Sequence, residues 1–135
     1  MVSSKCQWVR LDIGSKDITI LNLHGLWQRG SKKQDTEERL EQSKRIYGFM
    51  SSLEGSKILA GDFNMVPNGK SISILEKDMV NLIKEYKVET TRSVHYKRGE
   101  KFADYIIVSK EIKVNDFKVL PDEVSDHLSL YLDFE

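Results

Sequence analysis

Apolar residues in this chain fall in short runs of strand length, interrupted by one longer stretch of helical period. Residues 6–11 read as a strand and residues 17–24 as a second. Gly14, Ser15 and Lys16 form a turn between them, so the two make a hairpin. Residues 25–33 are polar, contain Gly25 and Gly30, and read as a loop. A helix follows. Asp35 or Thr36 caps it, and Asp35 with Glu38 fits the capping-box spacing. Leu40, Ile46, Tyr47, Met50 and Leu53 recur on one stripe, and Gly55 stops the helix. Residues 56–61 are a short apolar strand, and Pro67, Asn68 and Gly69 a turn. Residues 71–77 and 80–86 read as short helices, and residues 90–101 as a polar, basic surface loop. Residues 102–109, 114–120 and 127–133 are strands. The order ββαβααβββ describes an α/β, or α+β layered, fold in a single domain over residues 1–135.

The strands carry a second message. In residues 17–24, Ile18 and Ile20 point one way while Leu21 and Leu23 point the other. The runs KILA and YIIV are apolar on both faces too. Such strands are central and need cover on both sides, yet the helices of this chain suffice for one face.

Composition narrows the setting. Lysine plus arginine number 21 and aspartate plus glutamate 21, for a net charge of zero. That balance argues against holding nucleic acid by bulk attraction, and leaves room for a local basic patch. The single Cys6 cannot form an internal disulfide, which favours a reducing compartment. No apolar run approaches membrane-spanning length, and MVSSKCQWVR lacks the apolar core of a signal peptide. The expectation is a cytoplasmic protein away from the membrane.

Four short segments carry candidate chemistry. GDFN places Asp62 and Asn64 at the tip of an apolar strand, where a carboxylate can accept a proton from water and an amide can fix that water or a phosphate oxygen. SDH supplies Asp126, a hard oxygen donor suited to Mg²⁺ or Mn²⁺, and His127, which can contact a phosphoryl oxygen or move a proton near neutral pH. Asp104 opens the apolar run of DYIIVS, where a carboxylate needs a partner and could orient a histidine. NLHG ends a strand with Asn22 and His24 on one face. Each segment alone reads more simply as a turn or a strand end. Trp27 could stack on a base or sugar, or anchor its loop. Arg92, Lys97 and Arg98 could contact a phosphate, or be solvated.

Taken in order, NLHG, GDFN, DYIIVS and SDH resemble the endonuclease/exonuclease/phosphatase superfamily, whose members include exonuclease III-like and deoxyribonuclease I-like enzymes. The resemblance covers nearly all of the chain and matches the second half of the family domain. It implies a divalent-metal-dependent phosphoesterase, a nuclease or phosphodiesterase first, that acts by in-line attack of water with charge neutralised by Mg²⁺ or Mn²⁺. By the same resemblance His24 and His127 contact phosphate, Asp62 orients or deprotonates water with Asn64 beside it, Asp104 orients His127, and Asp126, with help from Asp62, binds the metal. Asn22, Arg92 and Trp27 are the candidate substrate contacts. DNA is the first substrate to test.

The family fold is a sandwich of two sheets, and its first half supplies a metal-binding glutamate. None of the glutamates here sits in a matching motif. Three expectations follow. Metal affinity is weak. The structure is half of a DNase I-like sandwich, one mixed sheet with helices on one face. A homodimer, packed through the uncovered face, completes it. The rival readings are a non-catalytic truncated half-domain with a vestigial phosphate site, and a module that binds a phosphorylated ligand without turnover.

Overall fold

The computed structural model describes residues 5–135; residues 1–4, the start of the stretch MVSSKCQWVR that lacks a signal peptide's apolar core, lie outside them. In chain order the elements are β1 (Lys5–Ile13), β2 (Lys16–His24), α1 (Glu37–Ser52), β3 (Ser56–Asp62), α2 (Lys70–Leu75), β4 (Met79–Asn81), α3 (Leu82–Glu85), β5 (Asp104–Ser109), β6 (Val114–Val119) and β7 (Leu130–Phe134). The expected hairpin forms, with β1 antiparallel to β2 and the turn made by Gly14 at φ 67°. Helix α1 then carries the chain across to β3, which lies parallel to β2. Strands β5 and β4 add antiparallel neighbours, so the mixed sheet has the order β1-β2-β3-β5-β4. Strands β6 and β7 pair only with each other, as a separate ribbon.

Pleating sorts the sheet residues into two faces. Leu21, Leu23, Leu59, Tyr105 and Ile107 share one face and are fully buried. Helix α1 lies on that side: Phe49 packs against Trp8, ring centroids 5.7 Å apart, and Ile46 lines a groove with Leu23. The opposite face carries Val9, Ile13, Ile20, Ile58, Ile106 and Val108. Here the ribbon supplies cover that the sequence pattern does not reveal. Phe117 is buried, while Leu130, Leu132 and Phe134 pack onto the core. Ile58, Ile106 and Val108 are buried accordingly. At the β1 end the same face stays open, with Val9 49 % and Ile13 53 % exposed.

Three local expectations change. Thr36, not Asp35, caps α1, accepting a hydrogen bond from Arg39 N. Asp35 reaches instead to the start of α2, where its carboxylate accepts from Lys70 N at 2.6 Å, Ser71 N at 2.9 Å and Ser71 Oγ at 2.6 Å. The buried line of α1 is Arg39, Ser43, Ile46 and Met50, while Leu40, Tyr47 and Leu53 are only half-buried. An apolar-stripe search cannot find a line whose first half is polar. The helix expected over residues 80–86 is split. Met79–Asn81 join the sheet edge as β4, and Asn81 caps the short α3 by accepting from Ile83 N. A run such as Met79–Val80 satisfies either period.

The segment 90–101 is not simply a solvated loop. Thr91 and Ser93 are buried, Leu128 N donates to Thr91 O, and Arg92 bridges to His127 as an antiparallel pair. Alternation of small polar residues hides this short extended stretch from hydrophobic patterning.

Candidate active site

The sheet brings three motifs together by register. His24 ends β2, its neighbour Asp62 ends the parallel β3, and Asp62 in turn lies opposite Asp104 at the start of β5. All three therefore stand on one face at one end of the sheet. Gly25 and Gly61 permit this closeness. A Cβ on Gly25 would lie 2.0 Å from Phe63 O, and one on Gly61, at φ 133°, would lie 2.1 Å from Leu23 O.

His127 arrives from the segment before β7. Its Nδ1 lies 2.9 Å from each oxygen of Asp104. Its Nε2 lies 2.6 Å from Arg92 Nη1 and 3.8 Å from Asp62 Oδ2. An arginine N–H can only donate, so Nε2 accepts there, and the proton of the neutral ring sits on Nδ1, facing Asp104. Asp104 is held from behind: Thr91 Oγ1 accepts from both Ala103 N and Asp104 N. Burial pushes the Asp104 carboxyl above the usual range, against the opposing pull of His127. Asp62 is oriented too, because Asn64 N donates to its Oδ1 at 3.0 Å. Asn64 sits in the left-handed region at φ 52° and its Nδ2 donates to Gly25 O. Its side chain thus ties the ends of β2 and β3 together.

These groups line an open cleft of about 1090 Å³. His24, Trp27, Asp62, Asn64, Arg92, Lys97, Arg98, Asp126 and His127 all reach it. Asp104 stands behind His127, and Asn22, two residues back from His24, is outside the lining. Asp126 is half exposed and pairs with Arg92 Nη1 at 3.3 Å. Lys33, Arg39 and Tyr96 are among the lining residues that sequence reasoning misses. The buried guanidinium of Arg39 holds the loop after β2, donating to Leu26 O, Ser31 Oγ and Gln34 O. Three such acceptors from one loop need a fork of donors that lysine lacks.

The donor chemistry suits a divalent cation. Ligand atoms of Asp62, Asp104 and His127 all lie within 4.8 Å of one another. Mg²⁺ keeps several waters and takes one or two carboxylates, which Asp62 with Asp104 or Asp126 provides. An imidazole nitrogen in the set would shift preference toward Mn²⁺.

The chain is similar to several known proteins. A human endonuclease/exonuclease/phosphatase family domain-containing protein 1 is 30 % identical over 77 % of this chain, which spans 19 % of that protein. Among solved structures, an endonuclease/exonuclease/phosphatase family protein of Bacteroides thetaiotaomicron superposes with TM-score 0.76 at 19 % identity, covering 97 % of this chain and 54 % of that one. A mannosyl-6-phosphatase from the same organism gives 0.75 at 18 % identity over 96 % and 56 %. TDP2 of D. rerio, complexed with a single-strand DNA product, gives 0.72 at 12 % identity over 98 % and 62 %. The likeness establishes a DNase I-like fold, and the chain spans little more than half of each of these structures. With the Endonuclease/Exonuclease/phosphatase family model matched over residues 3–127, the chain belongs to that family.

Proposed function

We propose that the chain is a divalent-metal-dependent phosphoester hydrolase, with DNA or another phosphodiester as the first substrate class. The observation that carries this reading is the convergence of Asp62, Asp104 and His127 at one end of the sheet, each held by its own hydrogen bonds. Asp62, with Oδ1 occupied by Asn64 N, offers Oδ2 to an attacking water and takes its proton as the water oxygen bonds to phosphorus. His127, oriented by Asp104 and carrying a proton on Nε2 as well as Nδ1, donates from Nε2 to a phosphoryl oxygen. His24, at the neighbouring strand end, contacts the same group or protonates the departing oxygen. Asp62 with Asp126 or Asp104 would hold a Mg²⁺ or Mn²⁺, which would supply positive charge to the phosphoryl group. Few protein ligands mean weak affinity for that ion.

The test is hydrolysis of plasmid DNA and a chromogenic phosphodiester with Mg²⁺ or Mn²⁺, with Asp62→Ala and His127→Ala as controls. Activity in the wild type and none in the variants is expected. Equal background in all three sinks the enzyme reading and leaves a non-catalytic half-domain with a vestigial phosphate site.

We also propose that two copies pack through the open part of the sheet face around Val9 and Ile13, completing the sandwich. A cytoplasmic setting suits the exposed, unpaired Cys6, and no helix among the described residues is long and apolar enough to cross a membrane.

A further inference from the structure

The chain is neutral overall, but its charge is not evenly spread. Seven arginine and lysine residues line the cleft, against the three carboxylates Asp62, Glu100 and Asp126. One phosphate on the reacting centre would leave that excess largely unmatched. The question is where a further anion would sit.

Lys33 answers it. Its residue is 6 % exposed, and its amine donates to Phe102 O at 3.0 Å. An ammonium carries three donors, so two remain to be used. Among the described residues no carboxylate lies within ion-pair distance of it; Asp62, Glu100 and Asp104 act on it only from further off. Buried lysines without a partner are uncommon because the desolvated charge is costly. Burial, and then the neighbouring Arg92 charge, hold the Lys33 amine below the usual lysine range. The backbone that puts it there is unusual as well: Lys32 at φ 47° and Lys33 at φ 61° are consecutive left-handed residues without a glycine.

Arg92 shows a matching surplus. Its side chain is more than nine-tenths buried, and its Nε has no hydrogen-bond partner among the described residues. Its guanidinium stacks 4.0 Å from the centroid of the Tyr96 ring, and Lys33 Nζ lies 5.4 Å from the same centroid. Tyr96 is itself fixed, its hydroxyl donating to Glu100 Oε2. One ring thus gathers two buried cations next to His127. Two like charges held side by side repel one another, and an anion between them removes that repulsion.

We propose that Lys33 and Arg92, gathered on Tyr96, form a subsite for a second phosphoryl group, so that the preferred substrate carries two neighbouring phosphates rather than one. The second group could be the adjacent phosphate of an oligonucleotide or the terminal phosphate of a small diphosphate. This rests on the phosphoester reading above for the first phosphate, at His127.

Isothermal titration with EDTA present tests it without requiring turnover. The probes are inorganic phosphate, pyrophosphate and a 5′-phosphorylated dithymidylate. Pyrophosphate or the dithymidylate is expected to bind about tenfold more tightly than phosphate, the gain of a charge-assisted contact. Which of the two gains tells the diphosphate source from the nucleic acid source. Lys33→Gln should erase the margin and leave phosphate binding within about twofold, while Lys33→Arg, which keeps the charge, should retain it. If Lys33→Gln does not fold, Tyr96→Leu removes the shared ring, and the same loss is expected. Equal affinity for one and two phosphates in the wild type, or equal loss of both in Lys33→Gln, overturns the subsite. Absence of hydrolysis with the two-phosphate margin intact would overturn the enzyme reading alone.

Discussion

Asp104 grips His127 with both carboxylate oxygens, each 2.9 Å from Nδ1. That pairing leaves Nε2 facing Arg92 and Asp62. It also stabilises positive charge on the ring when Nε2 takes a proton. Asp104→Asn keeps a hydrogen-bond acceptor but removes the charge. We expect kcat on a chromogenic phosphodiester to fall about 10²-fold or more, the range for losing a donor aimed at transition-state charge, with KM little changed. An unaltered kcat would show that the pair is only structural.

The carboxyl of Asp104 yields a second prediction, in stability. Burial raises its folded-state pKa. A raised carboxyl stabilises the folded state relative to the unfolded while both are protonated, below about pH 3.9. That contribution is lost as pH rises through the higher folded-state value. Asp104→Asn removes the titration. Denaturant melts from about pH 4 to 7 should therefore show the variant gaining on the wild type as pH rises. A constant difference across that window would contradict the burial argument.

Asp35 should behave in the opposite sense. Burial pushes its carboxyl up, but hydrogen bonds from Ser71 and Lys70 outweigh this and hold it below the ordinary range. A lowered carboxyl adds stability that is present above about pH 3.9 and is lost as pH falls through the folded-state value. Asp35→Ala should cost about 1 kcal/mol at neutral pH, like the loss of a helix cap. The deficit should shrink in acid. Urea titrations at pH 7 and pH 3 would check both.

The site end of the sheet depends on close backbone approach at Gly61 and Gly25. A methyl group on Gly61 meets Leu23 O at 2.1 Å and faces a φ of 133° as well. Gly61→Ala should therefore destabilise by about 2–4 kcal/mol, read by chemical denaturation. A loss below about 0.5 kcal/mol, ordinary for a surface change, would mean that the β2–β3 spacing relaxes freely.

Much of this was legible from residues alone. The hairpin, α1, β3 and β5 follow from period and turn residues, and His24, Asp62, Asn64 and His127, singled out by their motifs, all line the cleft. What the sequence concealed is polar. Arg39 and Ser43 occupy the inward line of α1 because loop carbonyls and Met65 await them, and no hydrophobic pattern marks such positions. Thr91 was hidden in a polar segment, yet its hydroxyl anchors the backbone of Asp104. Lys33 looked like one more basic loop residue, and only the fold shows that it is buried beside Arg92. Tertiary hydrogen bonds decided each case, and they join residues far apart in the chain.

The last prediction concerns the open sheet face. β6 and β7 cover Ile58, Ile106 and Val108, but Val9 and Ile13 on β1 remain about half exposed on the side away from α1. Leu11 and Ile20 beside them are only half-buried. β1 is also a sheet edge, where unpaired backbone groups invite a partner strand. An apolar strip of this kind is stable in water once another surface lies on it. Light scattering should give a mass near twice 15.6 kDa at high concentration, falling toward 15.6 kDa on dilution. Val9→Lys combined with Ile13→Lys places two like charges at the contact, and should yield a monomer at every concentration. Both positions are exposed within one chain, so the intrinsic fold should lose no more than about 0.5 kcal/mol per site. A wild type that scatters as a monomer throughout would sink the dimer, and would leave the strip as a surface for a different partner.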